Sequence, residues 1–196
     1  MRLVLATANP DKAAELSAIL EEDLDGLVEL VARPEHVDEV EETGESLEEN
    51  ARLKAAALVE ATGEAAVADD TGLEVEALAG LPGVRSARFA GETATYAENV
   101  KKLLSALEGE PNRRATFRTV VVCCFPQGGE IVAEGAVEGE IAKSPKGEAG
   151  FGYDPVFVPD GRDGRTFAEM DASEKHLLSH RALALHELSA RLKERP

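Results

Sequence analysis

Ala66-Val67-Ala68-Asp69-Asp70-Thr71-Gly72-Leu73-Glu74-Val75 constrains this chain more than any other stretch. Small apolar residues run straight into two adjacent carboxylates, a hydroxyl and a glycine, which predicts a buried strand that ends abruptly at a turn. In open α/β sheets, ligands bind beyond the carboxyl ends of the strands. Two carboxylates at such an end can hold a metal or activate a water. The plainer alternative is a turn that uses Asp and Gly for local hydrogen bonds and positive φ. Successive strand residues face opposite ways, so the pair is expected to divide its tasks. Asp70, next to the turn, takes the chemistry, and Asp69 holds the turn by hydrogen bonds.

The charge balance narrows the choice of partner. The chain of 196 residues carries a formal net charge of −17. Such a field repels nucleic-acid phosphates, and no Lys/Arg cluster or aromatic-basic stripe offsets it. A small anionic substrate fits only where basic residues gather locally or a divalent cation intervenes. The two cysteines, Cys123 and Cys124, are neighbours in a strand-like run. Their side chains then point to opposite faces, which makes both of them core residues rather than a disulfide. The apolar run after Met1 is too short for a signal peptide or a membrane span and predicts a first strand, hence no membrane partner and a cytoplasmic protein. The length suits one well-buried domain, with room for two lobes sharing a sheet.

Several junctions carry further signals. Strand Arg2 to Ala6 leads into Thr7-Ala8-Asn9-Pro10-Asp11-Lys12, where Asn9 suits an N-cap and Pro10 the first helical position. Free backbone N–H groups, a hydroxyl and Lys12 at a helix N-terminus make an anion site, although no Walker A loop is present. Leu27 to Ala32 predicts a second strand, and the acidic run Glu35 to Glu45 a solvated loop. Ser46 and Glu49 form a capping box, so a helix runs to Thr62-Gly63 and leaves Glu42 just ahead of it. A second box, Thr95 with Glu98, opens another helix. Ala115 to Phe125 and Glu130 to Ala142 flank a Gly-Gly turn and predict a hairpin, which makes the sheet mixed. The stretch from Lys143 to Pro155 is rich in glycine, which lets backbone approach a ligand, and its Phe151 and Tyr153 offer rings for stacking on a flat base. Lys175, His180 and Arg181 form the densest cationic group. Ser179 would cap a helix with His180 and Arg181 in its first turn, where cations oppose the macrodipole unless an anion sits nearby.

Together, Thr7 to Lys12, Glu41-Glu42-Thr43-Gly44, Asp69-Asp70-Thr71-Gly72-Leu73, Phe151-Gly152-Tyr153-Asp154-Pro155, and Glu174-Lys175 with Ser179-His180-Arg181 occur in the order and rough spacing of a known family. The chain resembles the inosine triphosphatase family of noncanonical purine nucleoside triphosphate pyrophosphatases (dITP/XTP diphosphatases), from residue 3 to about residue 190. Thr71 stands where serine is more usual, and the hydroxyl survives. The resemblance implies an α/β fold with a long mixed β-sheet flanked by helices, and a single two-lobed domain over residues 1–196 with an active-site cleft between the lobes. A homodimer is implied with it. The implied activity is hydrolysis of dITP, ITP and XTP to the monophosphate and pyrophosphate with Mg²⁺, which clears deaminated purines from the nucleotide pool. Thr7, Ala8, Asn9, Pro10, Asp11 and Lys12 would bind the phosphate chain. Glu42 and Asp70 would hold the metal, with Asp70 also the proton acceptor. Thr71, Phe151, Gly152, Tyr153, Asp154, Lys175, His180 and Arg181 would contact substrate. A donor from the backbone, His180 or Arg181 would read the 6-oxo group of the base. Two other readings remain open: a related house-cleaning pyrophosphatase for other modified nucleotides, and a nucleotide sensor without hydrolysis.

Overall fold

Short runs of Val, Leu and Ala build a seven-stranded sheet in a computed structural model that describes residues 1–38, 40–161 and 163–195. Strand β1 (Arg2–Leu5) lies between β2 (Glu29–Val31) and β3 (Ala65–Val75) and runs parallel to both. The order continues from β3 through β5 (Arg114–Cys124) and β6 (Glu130–Ile141) to β7 (Phe157–Pro159), which is antiparallel to β6. The two-residue β4 (Pro82–Gly83) pairs antiparallel with β3. The sheet is therefore mixed, as the hairpin predicts. At the hairpin turn Gly128 and Gly129 both take positive φ, and the Gly128 N–H donates to the Phe125 carbonyl at 3.0 Å.

The helices begin and end where side-chain capping chemistry places them. Helix α1 (Pro10–Asp23) is capped by Asn9, and Leu16, Ile19 and Leu20 form its buried stripe. Helix α2 (Leu47–Thr62) starts after Ser46, whose hydroxyl accepts from the Glu49 N–H, and stops at Gly63 in the left-handed conformation. The Glu49 carboxylate accepts from the Glu45 N–H at 2.7 Å. Helix α3 (Tyr96–Ala106) carries the full Thr95–Glu98 box. Two short turns apart near the end of the chain are α4 (Ala172–His176) and α5 (His180–Lys193). No helix among the described residues is long and apolar enough to cross a membrane.

One expectation is corrected. β3 does not end at Asp69-Asp70-Thr71-Gly72 but runs unbroken to Val75. The turn chemistry of Asp and Gly yields to pairing further along, because Leu73 and Glu74 pair with Gly83 and Pro82. Both aspartates are therefore mid-strand residues.

The chain divides into two compact units: residues 1–70, 119–135 and 181–196, and residues 71–118 and 136–180. Strands β3, β5 and β6 each contribute residues to both. The core of the first unit joins Leu3 and Leu5 of β1, Leu16, Ile19 and Leu20 of α1, Val67, Val121, Cys123, and Leu185 and Leu188 of α5. Cys123 and Cys124 are both buried and free, as expected of core residues, and desolvation pushes the Cys123 thiol up to about 12. The core of the second unit joins Leu73, Val75, Val100, Leu103, Leu107, Ile141 and an aromatic group. In that group the Phe157 ring lies 5.2 Å from both Phe117 and Phe167. Phe157→Ala removes a fully buried ring and should destabilise the protein by about 3–5 kcal/mol, read as a lower denaturant midpoint.

Candidate functional site

The Asp69 and Asp70 side chains have separate partners, as strand alternation requires. Asp69 is buried, and its Oδ2 meets Lys12 Nζ at 3.1 Å and Arg181 Nε at 3.2 Å. Arg181 in turn donates through Nη1 to Glu15 Oε2 at 2.5 Å. Four residues from β3, α1 and α5 thus form one ionic network. Burial alone would raise the Asp69 pKa, but Lys12 and Arg181, and then Lys54, outweigh it and hold the carboxyl below the usual range. Lys12 is pushed down by burial, which Asp69 opposes while Lys54 and Arg181 add to it. The expectation that Asp69 merely secures a turn is replaced by this role as counter-ion.

Asp70 sits in a different setting. Asn50 Nδ2 donates to its Oδ2 at 3.2 Å, and Lys54 Nζ approaches its Oδ1 at 3.4 Å. The same Lys54 Nζ lies 3.0 Å from Glu42 Oε1, so the two carboxylates share one ammonium. Burial raises the Asp70 pKa. Lys54 and Lys12 oppose that shift, Glu42 and Asp69 reinforce it, and the result lies above the usual carboxylate range. Burial would depress Lys54, yet Asp70, Asp69 and Glu42 leave it raised. A carboxyl shifted upwards and facing a second carboxylate is suited to accepting a proton.

The segment before α2 is fixed by the same hydrogen bonds. Gly44 N–H donates to Asn50 Oδ1 at 2.8 Å, while Asn50 Nδ2 holds Asp70. A Cβ on Gly44 would come within 2.7 Å of both Asn50 Oδ1 and Glu49 Cβ. Glycine at this position therefore lets the loop carrying Glu42 lie against α2. The rest of the acidic run is largely exposed, as expected of a solvated loop, with Glu39 outside the described residues.

At the Thr7 to Lys12 turn, most of the backbone donors already have acceptors. Asn9 N–H donates to Thr7 Oγ1, the Asp11 and Lys12 N–H groups donate to Asn9 Oδ1, and Ala13 N–H donates to the Asn9 carbonyl. Pro10 has no N–H to offer. The expected set of free N–H groups is thus corrected: the cap that starts α1 uses them. Lys12 Nζ, paired with Asp69, is the cation of this turn.

Lys175, His180 and Arg181 are each held by different neighbours. Arg181 belongs to the first unit and to the Asp69 network, which supplies the anion that the helix N-terminus needs. Lys175 and His180 belong to the second unit. There Lys175 Nζ lies 2.7 Å from Asp154 Oδ2, the oxygen that also accepts from the Phe151 N–H at 2.8 Å. The Lys175 ammonium stands 5.1 Å from the Phe151 ring centroid. The buried His180 ring packs edge-on against Phe117 at 4.0 Å. Tyr153 is corrected from stacking surface to core residue: it is buried, and its hydroxyl donates to the Ser86 carbonyl at 2.9 Å. Phe151, half-buried, is the ring left for stacking. Gly152 precedes Tyr153 with φ +62, and Thr71 follows Asp70 as the first residue of the second unit.

Motif reading misses Asn50, Lys54 and Glu15. A helical register finds the first two. They stand four residues apart on α2, beside the buried positions Leu47, Ala51, Ala55 and Leu58. A lysine and an asparagine aligned with a core stripe need polar partners there. Glu15 follows Lys12 by three residues and so shares its side of α1.

Comparison with known proteins gives one consistent answer. The model of the Ham1 family matches residues 3–191. A protein of Bacillus licheniformis named dITP/XTP pyrophosphatase is 45% identical, over 97% of each chain. A protein of the same name from Desulforamulus reducens is 50% identical, over 94% of this chain and 92% of its own. Among solved structures, a HAM1 protein from Coxiella burnetii superposes with a TM-score of 0.89 at 41% identity, over the full length of both chains.

Two substitutions test the geometry. Asp69→Asn leaves Lys12 and Arg181 buried without their carboxylate and should cost about 3–5 kcal/mol at neutral pH. Because the folded-state pKa of Asp69 is depressed, its contribution is full above the unfolded value of about 3.9 and fades as pH falls through the folded value. The stability gap between wild type and variant, measured by denaturant titration, should therefore narrow in acid. Gly44→Ala forces Asn50 or the loop to shift and should cost about 1–3 kcal/mol by the same measurement.

Proposed function

The chain belongs to the Ham1 family, and from that premise we propose that it hydrolyses noncanonical purine nucleoside triphosphates such as dITP, ITP and XTP to the monophosphate and pyrophosphate, with Mg²⁺ held by Glu42 and Asp70. The observation that carries the proposal is the pairing of Glu42 and Asp70 across a single ammonium, beside the Lys12–Asp69–Arg181 network. Relatives named for dITP and XTP along nearly the whole chain support the substrate class.

The donor set suits the metal. Two carboxylates close enough to share Lys54 Nζ offer hard oxygen ligands to one small cation. Among the described residues there is no group of three or more His, Cys, Asp or Glu placed to hold a metal. Mg²⁺ needs no such cage, since it binds through one or two carboxylates and fills its shell with waters and substrate phosphates. Charge supports the need for it. Lys12, Lys54 and Arg181 face Asp69, Asp70, Glu15 and Glu42, three cations against four carboxylates, so the cluster is one negative charge in excess. A triphosphate adds about four more. When bound, Mg²⁺ supplies the countercharge that polarises the phosphates.

The residues of the chain divide the remaining work. Lys12 and Arg181 face the phosphate oxygens, held in place by Asp69. Water attacks one of the two phosphorus atoms of the α–β bridge, the bond from that atom to the bridging oxygen breaks, and the product that keeps the bridging oxygen leaves with the electron pair. Asp70 takes the proton from that water. Such a transfer depends on position and charge stabilisation more than on covalent chemistry. In the second unit Phe151 presents its ring to the base, while Asp154 ties that residue's backbone to Lys175. Thr71, Gly152, Tyr153 and His180 contact substrate or shape its surroundings in the same proposal. A single two-lobed domain with a cleft between its lobes, a homodimer and a cytoplasmic setting complete it, on the strength of the family resemblance.

The test is pyrophosphate release from dITP with Mg²⁺, comparing wild type with Asp70→Asn. Loss of the proton acceptor should lower turnover by at least about a hundred-fold, with little change in melting temperature. Full activity in the variant would overturn the assignment of Asp70.

A further inference from the structure

Phe151 sits in a glycine-rich loop whose hydrogen bonds fix its backbone but not its ring. Gly147, Gly150 and Gly152 around it all take positive φ, a region open to glycine at small cost. The backbone N–H is tied to Asp154, but the ring must be oriented by what packs on it. One neighbour is the Lys175 ammonium, and another is the ring of Tyr96, 5.9 Å from it centroid to centroid and inclined at 38°. Phe151 and Tyr96 line a cavity of about 1250 Å³ in the second unit.

Tyr96 is well anchored for such a role. It is the first residue of α3, directly after the Thr95 cap, where Thr95 N–H donates to Glu98 Oε2 at 2.8 Å and Glu98 N–H donates to Thr95 Oγ1 at 3.3 Å. A large aromatic at that place, 40% exposed, is poorly explained by core packing. Aromatic pairs prefer tilted or offset arrangements at this distance.

We propose that Tyr96 is a positioning residue for base recognition, holding the Phe151 ring in the orientation that stacks on the purine. The inference rests on the reading of Phe151 as the stacking surface, and acts through that ring rather than through substrate contact. A preoriented ring loses less freedom when the base arrives, so the effect falls on binding and not on the chemical step.

The experiment measures KM and kcat for dITP in wild type, Tyr96→Ala, Tyr96→Phe, Phe151→Ala and the double variant Tyr96→Ala/Phe151→Ala. Tyr96→Ala should raise KM about three- to ten-fold with kcat nearly unchanged, and Tyr96→Phe, which keeps the ring, should restore the wild-type KM. Phe151→Ala should also raise KM, and adding Tyr96→Ala to it should change nothing more, because the ring through which Tyr96 acts is gone. If Phe151→Ala raises KM while Tyr96→Ala leaves it at the wild-type value, the role of Tyr96 is overturned and Phe151 still stands. If Phe151→Ala leaves KM unchanged, the stacking surface itself is wrong. Additive effects in the double variant would overturn the route through Phe151.

Discussion

One buried carboxylate holds two cations from distant parts of the chain in order. Asp69 lies on β3 and binds a lysine from the start of α1 and an arginine from the start of α5, the latter 112 positions away in the chain. Buried ion pairs are costly to desolvate and are weak devices for stability. Their use here is to keep cations charged and fixed in a place where burial would otherwise strip them of charge or let them turn away. Electrostatic stabilisation is most effective when the charges are positioned before substrate arrives. Asp69 does that positioning, and Glu15 completes it by taking the other end of the Arg181 guanidinium.

The neighbouring Asp70 shows how differently two adjacent carboxylates can be set. The two share a sequence position within one residue, a strand and a high degree of burial. Their surroundings send them in opposite directions. Asp69 has two cations in direct contact and is held ionised below the ordinary range, while Asp70 shares its one ammonium with Glu42 and is raised above it.

The local features of the fold were legible because each rests on chemistry within a few residues. Asn9, Ser46 and Thr95 cap their helices, Gly63 ends one, and the Gly128-Gly129 turn closes the hairpin. What local reasoning mistook depended on distant partners. β3 continues past its Asp-Thr-Gly because β4, ten residues further on, supplies pairing. The cations of the last segment have distant partners: Lys175 finds Asp154 and Arg181 finds Asp69. Tyr153 turns inward because Ser86 offers a carbonyl to its hydroxyl. Of the site, Glu42 and Asp70 were readable as acidic residues next to ordered elements. Lys54, which joins them, belongs to no motif and is placed by the helical register alone.

The glycines of the motifs carry a related lesson. Glycine in such loops is expected to admit a ligand, since it permits close backbone approach. Here at least two of them admit the protein's own polar groups. A Cβ at Gly44 would strike Asn50 Oδ1 at 2.7 Å, and one at Gly150 would strike Asp154 Oδ2 at 2.2 Å. In each case the side chain so accommodated is the one that fixes a functional neighbour: Asn50 holds Asp70, and Asp154 holds both Phe151 and Lys175. The glycine therefore acts at one remove. It clears space for an oxygen, the oxygen is held in place, and the side chain carrying it fixes a neighbouring residue. A motif of this kind records the packing that positions a site as much as the contacts the site makes.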